Sequence, residues 1–207
     1  MKTIIATTAL AIAMMATPAL AQDADAASDA GGFKLGAIVG VDSATIDDGI
    51  TSGSEEGVIY GITAGYDAVL GGVVIGAEAE LAGSSTDVVE DGLFVAGDTA
   101  AISAGRDIYA GVRLGATVGK GILYIKGGYT NAAITVDYDD GAGSAFRATD
   151  NMDGFRLGAG AEFPIGKSLA IRAEYRFSDY GEYRVNGAGT GVDVRRQQGV
   201  ITLLAKF

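Results

Sequence analysis

The sequence predicts an all-β fold: an eight-stranded antiparallel up-and-down transmembrane β-barrel with short turns at one end and four long loops at the other. Three observations predict it. Apolar and polar residues alternate with a period of two in eight segments of the 207-residue chain, as strands with one apolar face require. The connections between those segments run alternately long and short. The polar face carries six basic and six acidic side chains interleaved with glycine.

The chain opens with an expected export signal over residues 1–21. Lys2 supplies a short positive start, Ile4 to Ala16 is apolar apart from two threonines, and Pro18 ends the run. Ala19-Leu20-Ala21 then fits a small-x-small cleavage site. Residues 22–31 read as a short flexible polar segment, and 32–207 as the barrel. No later stretch holds 18 consecutive apolar residues, so no helix spans a membrane, and a closed barrel is the remaining route across.

The first strand pattern sets Phe33, Leu35, Ala37, Val39 and Val41 against Lys34, Gly36, Ile38, Gly40 and Asp42. The same alternation runs through 58–67, 73–81, 107–116, 123–130, 154–163, 169–178 and 200–207. Ile38, Ile59, Val74 and Leu204 fall on the polar face against the pattern. Short connections at 69–72, 119–121 and 164–168 are rich in glycine, with one proline, as tight turns demand. Long ones are expected at 42–57, 82–106, 131–153 and 179–196. With an even strand number this places both strand termini and all short turns on one side, the layout of a barrel with periplasmic turns and extracellular loops.

A soluble barrel would turn the same apolar face inward, around a greasy ligand. Charge balance argues otherwise. The polar face holds Lys34, Arg113, Lys126, Arg156, Arg172 and Arg176 against Asp67, Glu78, Glu80, Asp107, Glu162 and Glu174. A narrow lumen needs such balance because an unpaired buried charge costs several kcal/mol. Aromatics on the apolar face also sort to two heights. Phe33, Tyr66, Phe163 and Phe207 fall near the short turns; Tyr60, Tyr129, Phe155, Tyr175 and Phe177 fall toward the long loops. Two such girdles are expected at lipid–water interfaces. Inward glycine, from a total of 33, makes room for large ions inside a barrel just wide enough for side chains.

The run Tyr60-Gly-Ile-Thr-Ala-Gly-Tyr66-Asp67, the Leu70-Gly-Gly turn and Val74-Ile-Gly76-Ala-Glu78-Ala-Glu80 resemble the eight-stranded outer-membrane proteins, both opacity-type porin-like proteins and the OmpA-like barrel. Leu123-Tyr-Ile-Lys126-Gly-Gly, Arg172-Ala-Glu174-Tyr175-Arg176-Phe177 with Asp179-Tyr-Gly181, and Leu203 to Phe207 are similar to further signatures of that family. The resemblance covers the whole mature chain. It implies residence in the Gram-negative outer membrane after passage through the periplasm. It also implies that Phe207 is read by the barrel-assembly machinery. The sequence departs from full-length OmpA in that a second, peptidoglycan-binding domain is not expected here.

Composition narrows the function. The chain has no Cys and no His, which excludes a thiolate centre, a cysteine nucleophile and any serine–histidine mechanism. Lipid-modifying enzymes of similar architecture use a Ser with a His partner, so catalysis is not expected. Glu78 and Glu80 read as ion-pair partners rather than as an acid/base pair. A net charge of −11 argues against nucleic acid. Asp137-Tyr-Asp139-Asp140-Gly141 has the start of a calcium loop, but Ala148 stands where the bidentate Glu belongs, so a solvated loop is expected and no metal or cofactor. Expected partners are outer-membrane lipids and lipopolysaccharide, with Arg195 and Arg196 as candidates for lipid phosphate. The leading reading is a structural and surface role; a narrow porin or small-solute channel, and adhesion through acidic loops, are the alternatives. Deleting Phe207 is expected to impair membrane assembly, measured as a reduced amount of surface-exposed, heat-modifiable protein.

Overall fold

Alternation along a strand can be satisfied only if neighbouring strands present the same face in register, and the backbone does this through antiparallel pairing alone. The computed structural model describes residues 31–47, 52–85, 87–91, 99–139, 145–185 and 188–207. The expected export signal and residues 22–30 lie outside the described residues. The strands are β1 (Gly32–Asp47), β2 (Ser52–Leu70), β3 (Val73–Ser84), β4 (Asp87–Asp91), β5 (Thr99–Val118), β6 (Gly121–Asp139), β7 (Ala145–Pro164), β8 (Leu169–Val185) and β9 (Ala188–Lys206).

Eight of them close a cylinder. The sheet runs β3-β2-β1-β9-β8-β7-β6-β5, and pairing of β3 with β5 joins its ends. Val73 faces Ala116 at one end of that seam and Gly83 faces Arg106 at the other. β1 lies against β9, with Lys34 opposite Lys206. At the short-turn end the Phe207 amide donates to the Phe33 carbonyl at 2.9 Å, and the two rings sit 6.1 Å apart.

The short turns fall where glycine allows them. Leu70 pairs with Val73 across a two-residue loop, and Gly71 and Gly72 have φ of 58° and 88°. Two consecutive positive φ values define the primed hairpin turn that follows the right-handed strand twist.

The long connections differ from the sequence expectation. β1 and β2 pair as far as Asp47 with Ser52, and β6 and β7 as far as Asp139 with Ala145. Much of 42–57, 131–153 and 179–196 is therefore strand. Within 82–106, β4 forms a small ladder on β5, from Asp87 with Ser103 to Asp91 with Thr99. Asp137 and Asp139, read as part of a solvated loop, continue β6. The physical reason is plain. A membrane-crossing strand needs only about 9–11 residues, whereas β5 and β7 have 20 each. Beyond the bilayer the outer face meets water instead of lipid, so the apolar-outward alternation fades while backbone pairing continues.

Inside and outside are inverted relative to a soluble protein. Val41, Val112 and Ile125 on the outer face are 67%, 64% and 62% exposed, while Arg113, Arg156 and Arg176 inside are 2% or less. The four residues that broke the pattern are also inside. Ile38 and Ile59 pack with Ala82 and Val200, and Val74 packs with Ile122 and Tyr124; Leu204 is buried at 1%. They seal gaps between ions.

Gly111 shows why small residues are needed. A Cβ there would collide with the Tyr109 ring of the same strand and with the Gly127 carbonyl at 2.5 Å. Gly111→Ala should therefore lower the urea unfolding midpoint, with a cost of about 1–3 kcal/mol from overpacking. Ala64→Ser, on the outer wall, serves as the reference.

Candidate functional site

The chemistry of this molecule is concentrated in the lumen, where inward positions from all eight barrel strands meet. Near the short turns, Lys34 of β1 bridges Asp67 of β2 at 2.7 Å and Glu162 of β7 at 2.5 Å. Arg113 of β5 donates from Nε to Asp67 at 2.7 Å and from Nη2 to Glu162 at 3.1 Å. Arg172 of β8 then links this group upward, with Nη2 to Glu162 at 3.1 Å and Nη1 to Glu78 at 2.9 Å.

At mid-height Lys126 sits among three carboxylates: Glu78 at 2.7 Å, and Glu80 and Glu174 at 2.8 Å each. Arg176 donates to Glu80 at 2.8 Å and to Glu174. Tyr124 hydroxyl also donates to Glu174. Arg156 carries the column onward, reaching Glu80 at 3.5 Å, Asp107 at 2.6 Å and Ser178 at 2.8 Å.

All twelve charged residues read from the sequence as lumen-facing are buried and share this network. Two at the boundaries of the expected long connections, Asp42 at the end of the first strand pattern and Arg196 before the last, belong to it too. Arg196 bonds Asp42 and reaches Asp107 at 3.3 Å, and both Arg196 and Asp42 are buried. Gln198 and Ser84 complete the shell of Asp42 at 3.2 and 2.8 Å. This corrects the assignment of Arg196 to lipid phosphate. Arg195 points outward and pairs with Asp179 at 3.6 Å. Asp42 continues the parity of Lys34, Gly36 and Gly40, and Arg196 that of Gln198 and Val200, so carrying the alternation further would have found both.

Two tyrosines on the polar face separate cations from one another. The Tyr109 ring lies 4.6 Å from Lys126 Nζ and 5.4 Å from the Arg156 guanidinium carbon. The Tyr124 ring lies 4.8 Å from that of Arg113 and 5.3 Å from that of Arg172. Each ring face attracts the charge that would otherwise face a like charge.

The resulting column holds seven cations and seven carboxylates in one connected set of ion pairs. A cavity beside Lys34, Asp67, Glu78, Arg113 and Arg172 measures about 10 Å³, room for about one water.

On the outer wall, Phe33, Tyr60, Tyr66, Tyr129, Phe155, Phe163, Tyr175 and Phe207 are exposed, and Phe177 is half-buried. Phe33, Tyr66, Phe163 and Phe207 lie at the short-turn ends of their strands, and the others lie toward the long connections.

Among the described residues, Arg172 alone joins the lower ions to the central group by ion pairs. Arg172→Ala should cost about 3–5 kcal/mol, since it leaves buried carboxylates uncompensated, whereas Arg195→Ala should cost less than about 1 kcal/mol. Urea unfolding in detergent micelles measures both. Arg172→Met combined with Glu162→Gln should recover part of the loss.

Comparison with known proteins agrees with this geometry. The model of the outer membrane protein beta-barrel domain matches residues 7–195. A 31 kDa outer-membrane immunogenic protein of Brucella melitensis is 31% identical over 144 residues, covering 61% of this chain and 55% of that protein. A protein of the same description from Brucella suis matches equally, so the chain spans about half the length of the curated relatives it matches. Among solved structures, Neisserial surface protein A has a TM-score of 0.53 at 16% identity, covering 85% of this chain and 97% of its own. Ail, the attachment invasion locus protein of Yersinia pestis, has a TM-score of 0.49 at 10% identity, covering 84% and 99%. The chain belongs to the outer membrane protein beta-barrel domain family, as an eight-stranded barrel of the Gram-negative outer membrane.

Proposed function

We propose that this barrel is a non-catalytic structural element of the outer membrane, closed to solutes along its axis, with its long-connection end at the cell surface. One observation carries the reading: fourteen paired, buried charges cross-link all eight barrel strands through the lumen, and the cavity among the lower ions measures about 10 Å³. Passage of a hydrated solute would separate several buried ion pairs at once, each at a cost of several kcal/mol. Wide aqueous channels belong to barrels of about 16 strands or more. The carboxylates that could act in acid/base chemistry are each held by Lys or Arg, which fits a structural rather than a catalytic use. The acidic character of the strand extensions, with Glu55, Glu56, Asp137 and Asp150 among them, supports solvation of that end. The Brucella relative's description as immunogenic is in keeping with surface display.

Planar-bilayer recording of purified, heat-modifiable protein is expected to show no discrete openings. Openings whose size changes in Arg156→Gln or Arg172→Gln would overturn the reading in favour of a narrow channel.

A further inference from the structure

Toward the long connections the cylinder does not stay closed. The β2–β3 ladder ends at Ile59 with Ser84, and the β7–β8 ladder at Phe155 with Asp179. The other pairings run on: β1–β2 to Asp47 with Ser52, β8–β9 to Val185 with Ala188, and β6–β7 to Asp139 with Ala145. Beyond the barrel wall the strands therefore form two four-stranded sheets, β8-β9-β1-β2 and β4-β5-β6-β7, parted by two clefts.

At the base of the β2–β4 cleft a side chain ends the ladder. The Ser85 amide donates to the Val58 carbonyl at 2.9 Å, and the Val58 amide donates to Ser85 Oγ at 3.0 Å in place of a carbonyl. In an antiparallel strand the amide and carbonyl of one residue point to the same side, and alternate residues repeat that direction. Val58 thus fixes the aim of Glu56 and Ser54, whose backbone groups face the cleft. Among the described residues no strand pairs with them there, and β4 pairs with β5 alone.

Free strand edges are normally blunted by lysine, proline or bulges. These are acidic instead. The segment from Ser52 reads Ser-Gly-Ser-Glu-Glu-Gly and β4 reads Asp-Val-Val-Glu-Asp, which supplies Glu55, Glu56, Asp87, Glu90 and Asp91 and no base. Ser54, Glu55 and Glu56 are exposed, and glycine at 53 and 57 lets another backbone come close. Like charge keeps a second copy of this chain, at net −11, off the same edge, while it draws in a basic strand. The β7–β8 cleft lacks this single sign, since Arg147 and Arg184 stand on its strands beside Asp150 and Glu182.

We propose that an extended, lysine- or arginine-bearing segment of a partner polypeptide adds to β2 as an edge strand at Ser52–Gly57. Its backbone bonds to Ser54 and Glu56, and its cations are neutralised by the acidic edges. Main-chain bonds supply the grip and charge supplies the selection. The inference holds whether the lumen is closed or conducting, since no lumen ion takes part.

The test uses the full chain in zwitterionic detergent micelles and a short synthetic peptide of alternating lysine and valine, followed by fluorescence anisotropy. Binding is expected, and at least about tenfold weaker for the matching glutamate–valine peptide. N-methylation of alternate amides keeps the peptide's charge but removes main-chain donors, and should weaken binding about fivefold or more. S54P removes an amide hydrogen aimed into the cleft without touching the β1 ladder, and should lose most of the binding. E55Q/E56Q should weaken it several-fold, and D150N, on β7, should bind as wild type. The N-methyl comparison needs no variant and decides the matter if S54P assembles poorly. Equal binding of the N-methylated peptide would reduce the contact to surface charge and overturn the proposal. So would no binding of the basic peptide, wild-type affinity in S54P, or equal losses in D150N and E55Q/E56Q.

Discussion

Closure of eight strands fixes the width of the barrel, and that width dictates everything placed inside it. An interior this narrow admits side chains and almost no water, so whatever charge it contains must be neutralised by other side chains. Seven cations and seven carboxylates meet this condition. They do so in one continuous set because each carboxylate offers several lone pairs and each guanidinium several donors. Glu162, for example, accepts from Lys34, Arg113 and Arg172.

Apolar residues inside make that network drier. Ile59 and Val74 are fully buried, and Ala132, Met152, Tyr180 and Val194 form a further patch on the side of the long connections. With little solvent to screen them, the pairs interact more strongly than on a surface, and an unmatched member is correspondingly costly. The outer face follows the opposite rule, since lipid demands only apolar contact there and paired backbone throughout. The sheet supplies both, because consecutive side chains of one strand point to opposite sides.

Strand parity made the fold and most of the lumen legible from residues alone. Lys126 and Glu174 sit on polar positions inside segments whose alternation is unbroken, and their burial follows from closing the sheet. Asp42 ends the first strand's polar row and Arg196 opens the last strand, so both stand at the edge of a long connection, where a solvated loop and the end of a strand look the same. The length of β5 through β7 was hidden for the same reason: outside the bilayer, backbone hydrogen bonds carry the pairing and leave no trace in hydropathy. Nor could the pairing of particular ions be read. Arg172 faces Glu162 directly across the β7–β8 hairpin, but its bond to Glu78 of β3 depends on register and tilt across strands that do not pair, which composition does not encode.

The ion column is joined at two single links, Arg172 below and Arg156 above. Between and beyond them the charges form three groups, of which the lower one is neutral by itself and the other two each carry one excess carboxylate. Descendants of this sequence can therefore drift at the periphery of a group, where a neighbouring cation still serves the stranded acid. Replacing either linking arginine instead requires a matching change on a distant strand in the same lineage. Substitutions in such barrels should accumulate as correlated sets across the cylinder, and the two links should be the slowest positions to change.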